Sequence, residues 1–277
     1  MQQISENVYV ETGYRGANVG LVVVEGGVVL IDTPQQPSNT IAWREFVLSK
    51  GKPLYIVHTE AHGDHIIGDF FFPEAVIVAQ EGMRGRFPTT PEAVQAIKDR
   101  LVPIDPEGMP LLDDYVSPLP TITFSDRMHL YVGSHTFDLV NLPGHTAEET
   151  AVVIPEERVA FTGDNIFCRC QAYIQEGSPW QWLESLKKIA ELDVDVLVPG
   201  HGAVCDRGYV PEMAGFVQEW IDVVQSAVDR GLSLDESMAT ISMLDRYPVE
   251  HNNVPQGPAI QQMNVRNIYE RIVSGRR

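Results

Sequence analysis

Four short segments of the chain contain side chains that could bind a metal. The first combines glutamate, aspartate and two histidines, and each of the other three has a histidine or an aspartate directly after a glycine. The segments are Glu60-Ala61-His62-Gly63-Asp64-His65, Pro143-Gly144-His145-Thr146, Gly163-Asp164 and Pro199-Gly200-His201-Gly202. Histidine, aspartate and glutamate are side chains that bind zinc, iron and manganese in proteins. A single histidine of this kind is more often a structural residue, but the joint pattern predicts a metal centre.

The segments follow apolar runs, which would place them on loops at one edge of a rigid sheet. These runs have strand length and occupy residues 54–58, 136–141, 158–162 and 194–198. Residues 22–32 and 151–164 are also weakly similar, since each is a predicted hairpin that ends in an aspartate. Each then leads through a helix to a strand that ends in histidine. Two copies of one β-β-α-β unit predict two sheets packed face to face with helices outside.

The order and spacing of these motifs resemble the metallo-β-lactamase superfamily. The resemblance extends over nearly the whole chain, from the Gly26-Gly27 hairpin to His201. It implies an α/β fold, namely an αββα four-layer sandwich of two mixed β-sheets flanked by helices. With no linker rich in glycine or serine, residues 1–277 are expected to form a single domain of this kind.

The resemblance also implies ligands for two divalent metal ions, with zinc as the first choice and manganese or iron as alternatives. The implied ligands are Glu60, His62 and His145 for the first ion, Asp64, His65 and His201 for the second, and Asp164 as a bridge. Asp32, at the end of the first hairpin, would orient ligands from behind.

Glu60 departs from the pattern of the family, whose second motif is usually HxHxDH. Here the first position is glutamate, and His58 lies two residues before it. Three interpretations are open. Glu60 could bind the first ion through its carboxylate, or the first ion could be weakly bound or absent because Glu60 does not reach it. His58 could also replace Glu60 as a ligand if the loop were remodelled. We expect Glu60 to be a ligand, which would add negative charge and favour manganese or iron more than usual.

Such a site would hydrolyse a small-molecule ester, lactone or amide. Metal binding lowers the pKa of water towards about 7, so that a metal-bound hydroxide can attack the substrate at neutral pH. Asp64 or Asp164 would transfer the proton to the leaving group, and Tyr173 could donate a hydrogen bond to the oxyanion. The alternatives are a β-lactamase, a thioesterase of the glyoxalase II type, an iron-dependent oxidoreductase such as a sulfur dioxygenase, and a non-catalytic relative.

Three parts of the chain are predicted to shape the substrate pocket. Arg84, Arg86 and Arg169 are candidate anchors for a substrate carboxylate. Residues 83–120 form an excursion with five prolines between 101 and 120, which would serve as a lid or as a homodimer contact. The C-terminal helices at 211–277 would add a further wall.

Composition limits the class of partner. The chain has 20 basic and 38 acidic residues and a formal charge of −18, so nucleic acids and anionic membranes would be repelled. Its N-terminus lacks the charged and apolar regions of a signal peptide, and no apolar run reaches the roughly 20 residues of a membrane span. Together with only three cysteines, these features predict a cytoplasmic enzyme that acts on a small molecule.

Overall fold

A computed structural model describes residues 1–247, 250–251, 254–255 and 258–276 of the chain. Within these residues the strands are β1 (Gln2–Gln3), β2 (Val8–Glu11), β3 (Val19–Val24), β4 (Gly27–Ile31), β5 (Pro53–Val57), β6 (Val76–Gln80), β7 (Ile122–Phe124), β8 (Arg127–Val132), β9 (His135–Asn141), β10 (Thr150–Ile154), β11 (Val159–Phe161), β12 (Phe167–Cys168), β13 (Val196–Val198), β14 (His201–Gly202), β15 (Glu250–His251) and β16 (Val254–Pro255). The α-helices of the same residues are α1 (Pro37–Lys50), α2 (Gly63–Ile66), α3 (Pro91–Leu101), α4 (Pro179–Ala190), α5 (Val210–Asp229), α6 (Leu234–Thr240) and α7 (Pro258–Ser274).

Two mixed sheets form the centre of the described part of the chain. The first contains β1 to β7 in chain order, antiparallel from β1 to β4 and parallel from β4 to β7. The second has the order β13-β11-β10-β9-β8, in which β11 and β13 are parallel and the other pairs antiparallel. Both kinds of pairing occur in each sheet, as the predicted fold class requires.

The two sheets pack face to face through apolar side chains. Along β4, Val29 and Ile31 point into the core between the sheets, whereas Val28 and Leu30 point to the other side. This alternation follows from the two-residue period of a strand, and both of its faces are apolar because both are covered. Phe161 of the second sheet belongs to the same central core.

Helices cover the outer faces of both sheets. Trp43 and Val47 of α1 are buried against the first sheet. Trp182 of α4 and Val217 and Trp220 of α5 are buried on the second sheet. The predicted αββα four-layer arrangement is therefore confirmed.

The excursion at 83–120 packs against the start of α1. Helix α3 begins after Thr90, whose hydroxyl accepts a hydrogen bond from the backbone N–H of Ala93, as its cap-plus-proline sequence predicts. Beyond α3, the buried carboxylate of Asp105 accepts bonds from the backbone and hydroxyl of Ser38. These contacts fix the segment to the first sheet's helix, while a lid movement or a dimer contact of this segment stays a prediction.

None of the described helices combines the length and the apolar character that crossing a membrane requires.

Candidate metal centre

Loops at the ends of five strands, β4, β5, β9, β11 and β13, converge on one edge of the two sheets. Asp32 follows β4 in a left-handed conformation (φ 57°), and Gly163 follows β11 with φ 53°. A side chain at Gly163 would overlap the Glu149 carboxylate, so this turn can place Asp164 only if residue 163 is glycine. The N–H of Gly200 after β13 donates to the carbonyl of Gly163 at 2.7 Å, which ties two of the loops together.

Seven side chains meet at this edge, and we call them the ligand cluster. They are Glu60, His62, Asp64, His65, His145, Asp164 and His201, the same residues that the resemblance implies as ligands. Their ligand atoms form three groups in which all atoms lie within 4.8 Å of one another. The sequence-based assignment of these residues as ligands stays a prediction.

The first group joins Glu60, His62 and His145. The Nδ1 atom of His62 lies 2.7 Å from Oε2 of Glu60 and 3.2 Å from Nε2 of His145. Glu60 is fully buried and turns its carboxylate toward both histidines. A glutamate in place of the usual histidine thus still presents oxygen atoms to the centre.

The second group joins Asp64, His65 and His201, and Asp164 lies next to both groups. Nε2 of His201 lies 3.4 Å from Oδ2 of Asp64 and 3.3 Å from Oδ2 of Asp164. The carboxylate of Asp164 also lies 3.3 Å from Nε2 of His65 and 3.5 Å from Nε2 of His145. One carboxylate therefore faces histidines of both groups, which is the position that a bridging ligand needs.

Several buried polar atoms of the ligand cluster have no hydrogen-bond partner of acceptable geometry among the described residues. They are both carboxylate oxygens of Glu60, Nε2 of His65 and Oδ1 of Asp164. Buried carboxylates without partners are costly, and cations commonly satisfy them. The donor set and these atoms therefore fit divalent metal ions.

The charges in the cluster shift the pKa values of its members. Burial opposes ionisation of Asp164, yet the neighbouring His201 and His65 hold the pKa of its carboxyl well below the ordinary value. Burial likewise opposes a charge on His201, but Asp164 and Asp64 raise its pKa to about 10. The site thus favours positive charge, and a metal ion would compete with protons for the same atoms.

A buried network supports His65 from behind. The Nδ1–H of His65 donates to Asp32 at 2.9 Å, and Asp32 also accepts from the backbone N–H and hydroxyl of Thr59. His58 places one ring nitrogen 3.2 Å from Asp32 and the other 2.8 Å from Asp69. His58 therefore belongs to this supporting layer and not to any of the three ligand groups.

Arg86 lies beside the cluster but does not act as the free anchor that the sequence suggested. It forms ion pairs with Glu176 at 2.6 Å and Glu148 at 2.9 Å. The Nε2 edge of His62 contacts both Glu176, at 3.4 Å, and Arg86, at 3.3 Å. The arginine is thus neutralised by carboxylates and helps to hold the outer edge of His62.

The C-terminal helix α7 holds a loop of the site. His145 donates through Nδ1 to the backbone carbonyl of Tyr173 at 2.7 Å. The buried Asn264 of α7 accepts from the N–H of Ile174 and donates to the carbonyl of Ala172 on either side of Tyr173. Asn267 donates to two further carbonyls of this loop. Sequence reasoning missed both asparagines, because no motif marks a side chain that binds only a distant backbone.

A cavity of about 420 Å³ opens over the ligand cluster. Its lining contains five members of the cluster and a further set that we call the cavity wall: Arg15, Gly16, Gln35, Gly63, Arg100, Ile104, Tyr173 and Gln175. Among them the sequence analysis gave a role of its own only to Tyr173, although Gly63 lies in the first motif and Arg100 and Ile104 lie in the 83–120 excursion.

Two predictions about the pocket are wrong for the described residues. None of Arg84, Arg86 and Arg169 lines this cavity, since Arg84 donates to the carbonyl of Pro120 and Arg169 lies by a separate pocket beside Cys168. The helices beyond residue 211 also supply no lining side chain and act through the loop around Tyr173.

Residues 12–201 match the family model described as the metallo-beta-lactamase superfamily. The chain belongs to this superfamily. The match includes every member of the ligand cluster and confirms the resemblance inferred from the motifs.

The chain is similar to curated proteins that are named for different activities. The Beta-lactamase-like protein 2 homolog of Caenorhabditis elegans is 25% identical over 202 residues, which cover 70% of this chain and 58% of that protein. A hydroxyacylglutathione hydrolase of Mesorhizobium japonicum is 26% identical over 181 residues, covering 64% of this chain and 59% of that protein. The matched part thus spans less than two thirds of the length of these relatives.

Solved structures show the same fold. A metallo-beta-lactamase family protein from Thermus thermophilus superposes with a TM-score of 0.70 at 18% identity, covering 99% of this chain and 95% of that one. A metallo-beta-lactamase from Pontibacter korlensis gives a TM-score of 0.60 at 18% identity, covering 78% and 97%. At these identities the likeness concerns the fold alone.

Proposed function

We propose that this protein is a metal-dependent hydrolase that acts on a small-molecule ester, thioester, lactone or amide. The observation that carries the proposal is the ligand cluster, in which buried carboxylate and imidazole atoms face one another, several of them without a hydrogen-bond partner among the described residues. Matches to hydroxyacylglutathione hydrolases make a thioester the first substrate class to test.

The cluster would hold two divalent ions. Glu60, His62 and His145 would bind the first, Asp64, His65 and His201 the second, and Asp164 would contact both. Zinc suits this nitrogen and oxygen set, and manganese and iron are alternatives because the set combines carboxylate oxygens with imidazole nitrogens. Bound ions of this kind polarise a substrate carbonyl and lower the pKa of a water molecule.

The residues around the ions would orient the substrate and move the proton. Asp64 is half-buried and lines the cavity, so its carboxylate can pass a proton from the attacking water to the leaving group. Asp164 also reaches the cavity, but its neighbours His65, His145 and His201 hold it in place for ligation. Tyr173 stands in the cavity wall, where its hydroxyl could donate to the developing oxyanion.

Metal reconstitution tests this function directly. The protein would be stripped with a chelator, dialysed against zinc, manganese or iron(II), and assayed for metal atoms per chain and for hydrolysis of a hydroxyacylglutathione, an aryl ester and a lactone. We expect about two ions per chain and hydrolysis that the chelator abolishes. A protein that takes up no metal would overturn the proposal, and one iron per chain with oxygen consumption would replace it by the oxidoreductase alternative.

A further inference from the structure

The cavity wall contains two arginines in a chain with a large excess of acidic residues. Arg15 and Arg100 are the cationic side chains among the described residues that line the cavity. The lining carboxylates, Asp64 and Asp164, both belong to the ligand cluster and would be engaged by metal ions. With those ions bound, Arg100 would add a positive charge to the open part of the cavity.

Arg100 reaches the metal motif across a glycine. It lies in the last turn of α3, and a Cβ atom at Gly63 would overlap its guanidinium Nη2. Gly63 separates His62 from Asp64, so the guanidinium lies directly over the backbone that carries two members of the ligand cluster. No ion pair of Arg100 with a carboxylate occurs within the part of the chain that the structure describes.

Arg15 approaches the same motif from the other side. It precedes Gly16, which has a φ of 100° and lies so close to Asp64 that an added Cβ would be 3.0 Å from the Cβ of that residue. The loop between β2 and β3 therefore needs glycine at position 16 to bring Arg15 to the cavity.

Arg86, which also lies beside the site, differs from Arg100. Arg86 is held between Glu148 and Glu176, and its charge is thereby compensated within the protein. A compensated guanidinium supports neighbouring residues, whereas Arg100 lines the cavity, forms no ion pair with a carboxylate among the described residues, and is suited to a ligand's anionic group.

We propose that Arg100, together with Arg15, binds a carboxylate of the substrate while the bond to be hydrolysed lies over the ligand cluster. The substrate class is therefore an anionic ester or thioester whose carboxylate is separate from the reacting group. This inference rests on the proposed hydrolase function, and it makes Arg100 a residue that determines specificity.

A matched pair of probes tests the inference. S-acetyl-3-mercaptopropionate and S-acetyl-3-mercaptopropionamide carry the same thioester and differ in one negative charge. For the metal-loaded full chain, we expect the KM of the anionic probe to be lower by roughly tenfold or more, since a hydrogen bond to a charged group contributes about that factor.

Variants at two positions of α3 locate the effect. Arg100→Met should remove most of the difference in KM between the two probes, and Arg100→Lys should retain part of it because a cation remains. Lys98→Met is the matched control, since Lys98 is on the same helix, donates to the carbonyl of Asp113 and is not part of the cavity lining. It should leave the preference unchanged.

A binding measurement keeps the test independent of turnover. Calorimetry of the zinc-loaded protein with 3-mercaptopropionate and 3-mercaptopropionamide should show tighter binding of the acid, and this advantage should be lost in R100M. If neither thioester is hydrolysed, the proposed function fails for this substrate class, while the binding comparison still decides on the anion site. Equal affinities for acid and amide, or an equal loss in K98M, would overturn the inference.

Discussion

The ligand cluster and the cavity wall lie side by side but are built in different ways. Glu60 and His65 of the cluster are fully buried, and His65 is fixed by Asp32 from behind. The wall is assembled from half-buried or exposed side chains, such as Arg15 and Arg100, which reach the cavity from separate parts of the chain.

This difference separates the chemistry of the site from its selectivity. The cluster is supported by a second layer of hydrogen bonds, so its geometry should change little between ligands. The wall includes an exposed arginine on a helix of the 83–120 excursion, where a substitution should alter substrate choice without disturbing the metal ions. Substitutions in the ligand cluster should therefore affect metal binding and activity most, those in the supporting layer less, and those in the cavity wall least.

The largest effect is expected for Asp164→Ala. Its carboxylate faces His65, His145 and His201, so its loss would uncouple the two ligand groups. Activity should fall by more than the roughly 10–100-fold that follows loss of an outer-shell partner, and metal per chain should drop. Hydrolysis rates and elemental analysis would measure both, with Asp138→Ala as the control, since the Asp138 carboxylate pairs with Arg127 of β8 and not with the ligand cluster. Full metal content and activity in D164A would contradict the bridging assignment.

Changes at Glu60 should have the next largest effect and would test its role as a ligand. Glu60→Gln keeps the shape of the side chain but removes the charge that faces His62 and His65, so metal affinity should decrease about tenfold or more. Glu60→His restores the residue that is usual in the family and should recover or exceed the original affinity. Competition with a chelator would measure both variants. If neither change alters metal stoichiometry or affinity, Glu60 is not a ligand.

Asp32→Asn tests the supporting layer. Asparagine tolerates the left-handed conformation of residue 32, so the turn after β4 should be preserved. His65 would lose its charged acceptor, and we expect metal affinity to fall by about 10-fold, with catalysis reduced in parallel. Circular dichroism would establish that the variant is folded. A folded D32N with unchanged affinity would show that the orientation of His65 does not depend on this carboxylate.

The sequence predicted the ligand cluster far better than the cavity wall, because the members of the cluster lie in short motifs directly after strands. Residues 60–65 lie in one continuous motif after a strand, and His145, Asp164 and His201 each follow a strand of the same two sheets. Strand ends that share an edge bring such motifs together by topology alone. The two packed sheets and the convergence of the motifs could therefore be inferred from the pattern, while the set of seven residues followed from the resemblance to the metallo-β-lactamase superfamily.

The wall and its supports carry no such signal. Arg100 resembles any charged residue on an amphipathic helix, and only the packing of α3 beside Gly63 brings it to the cavity. Arg86 stood nearer the motifs in sequence, but two glutamates compensate its charge, which sequence alone could not reveal. Buried Glu149 was missed for a similar reason, because its contact with the N–H of Asp164 arises only from the pairing that places the start of β10 beside the end of β11.

The smallest effect on metal binding and hydrolysis is expected for Asn264→Ala, which removes hydrogen bonds to the backbone around Tyr173 in the cavity wall. Asn264 is fully buried and bonds the backbone on both sides of Tyr173, at 2.7 Å to the N–H of Ile174 and 2.9 Å to the carbonyl of Ala172. Leaving these groups without partners should lower the free energy of unfolding by about 1–3 kcal/mol.

In the same variant the metal ions should remain bound, because none of the ligand cluster is changed, while kcat/KM should decline as the loop around Tyr173 loosens. Denaturant unfolding and metal analysis would measure the two quantities, with Glu270→Gln on the exposed side of α7 as the control. Loss of metal in N264A would show that the cluster depends on the wall, and the contrast between the two regions would then have to be abandoned.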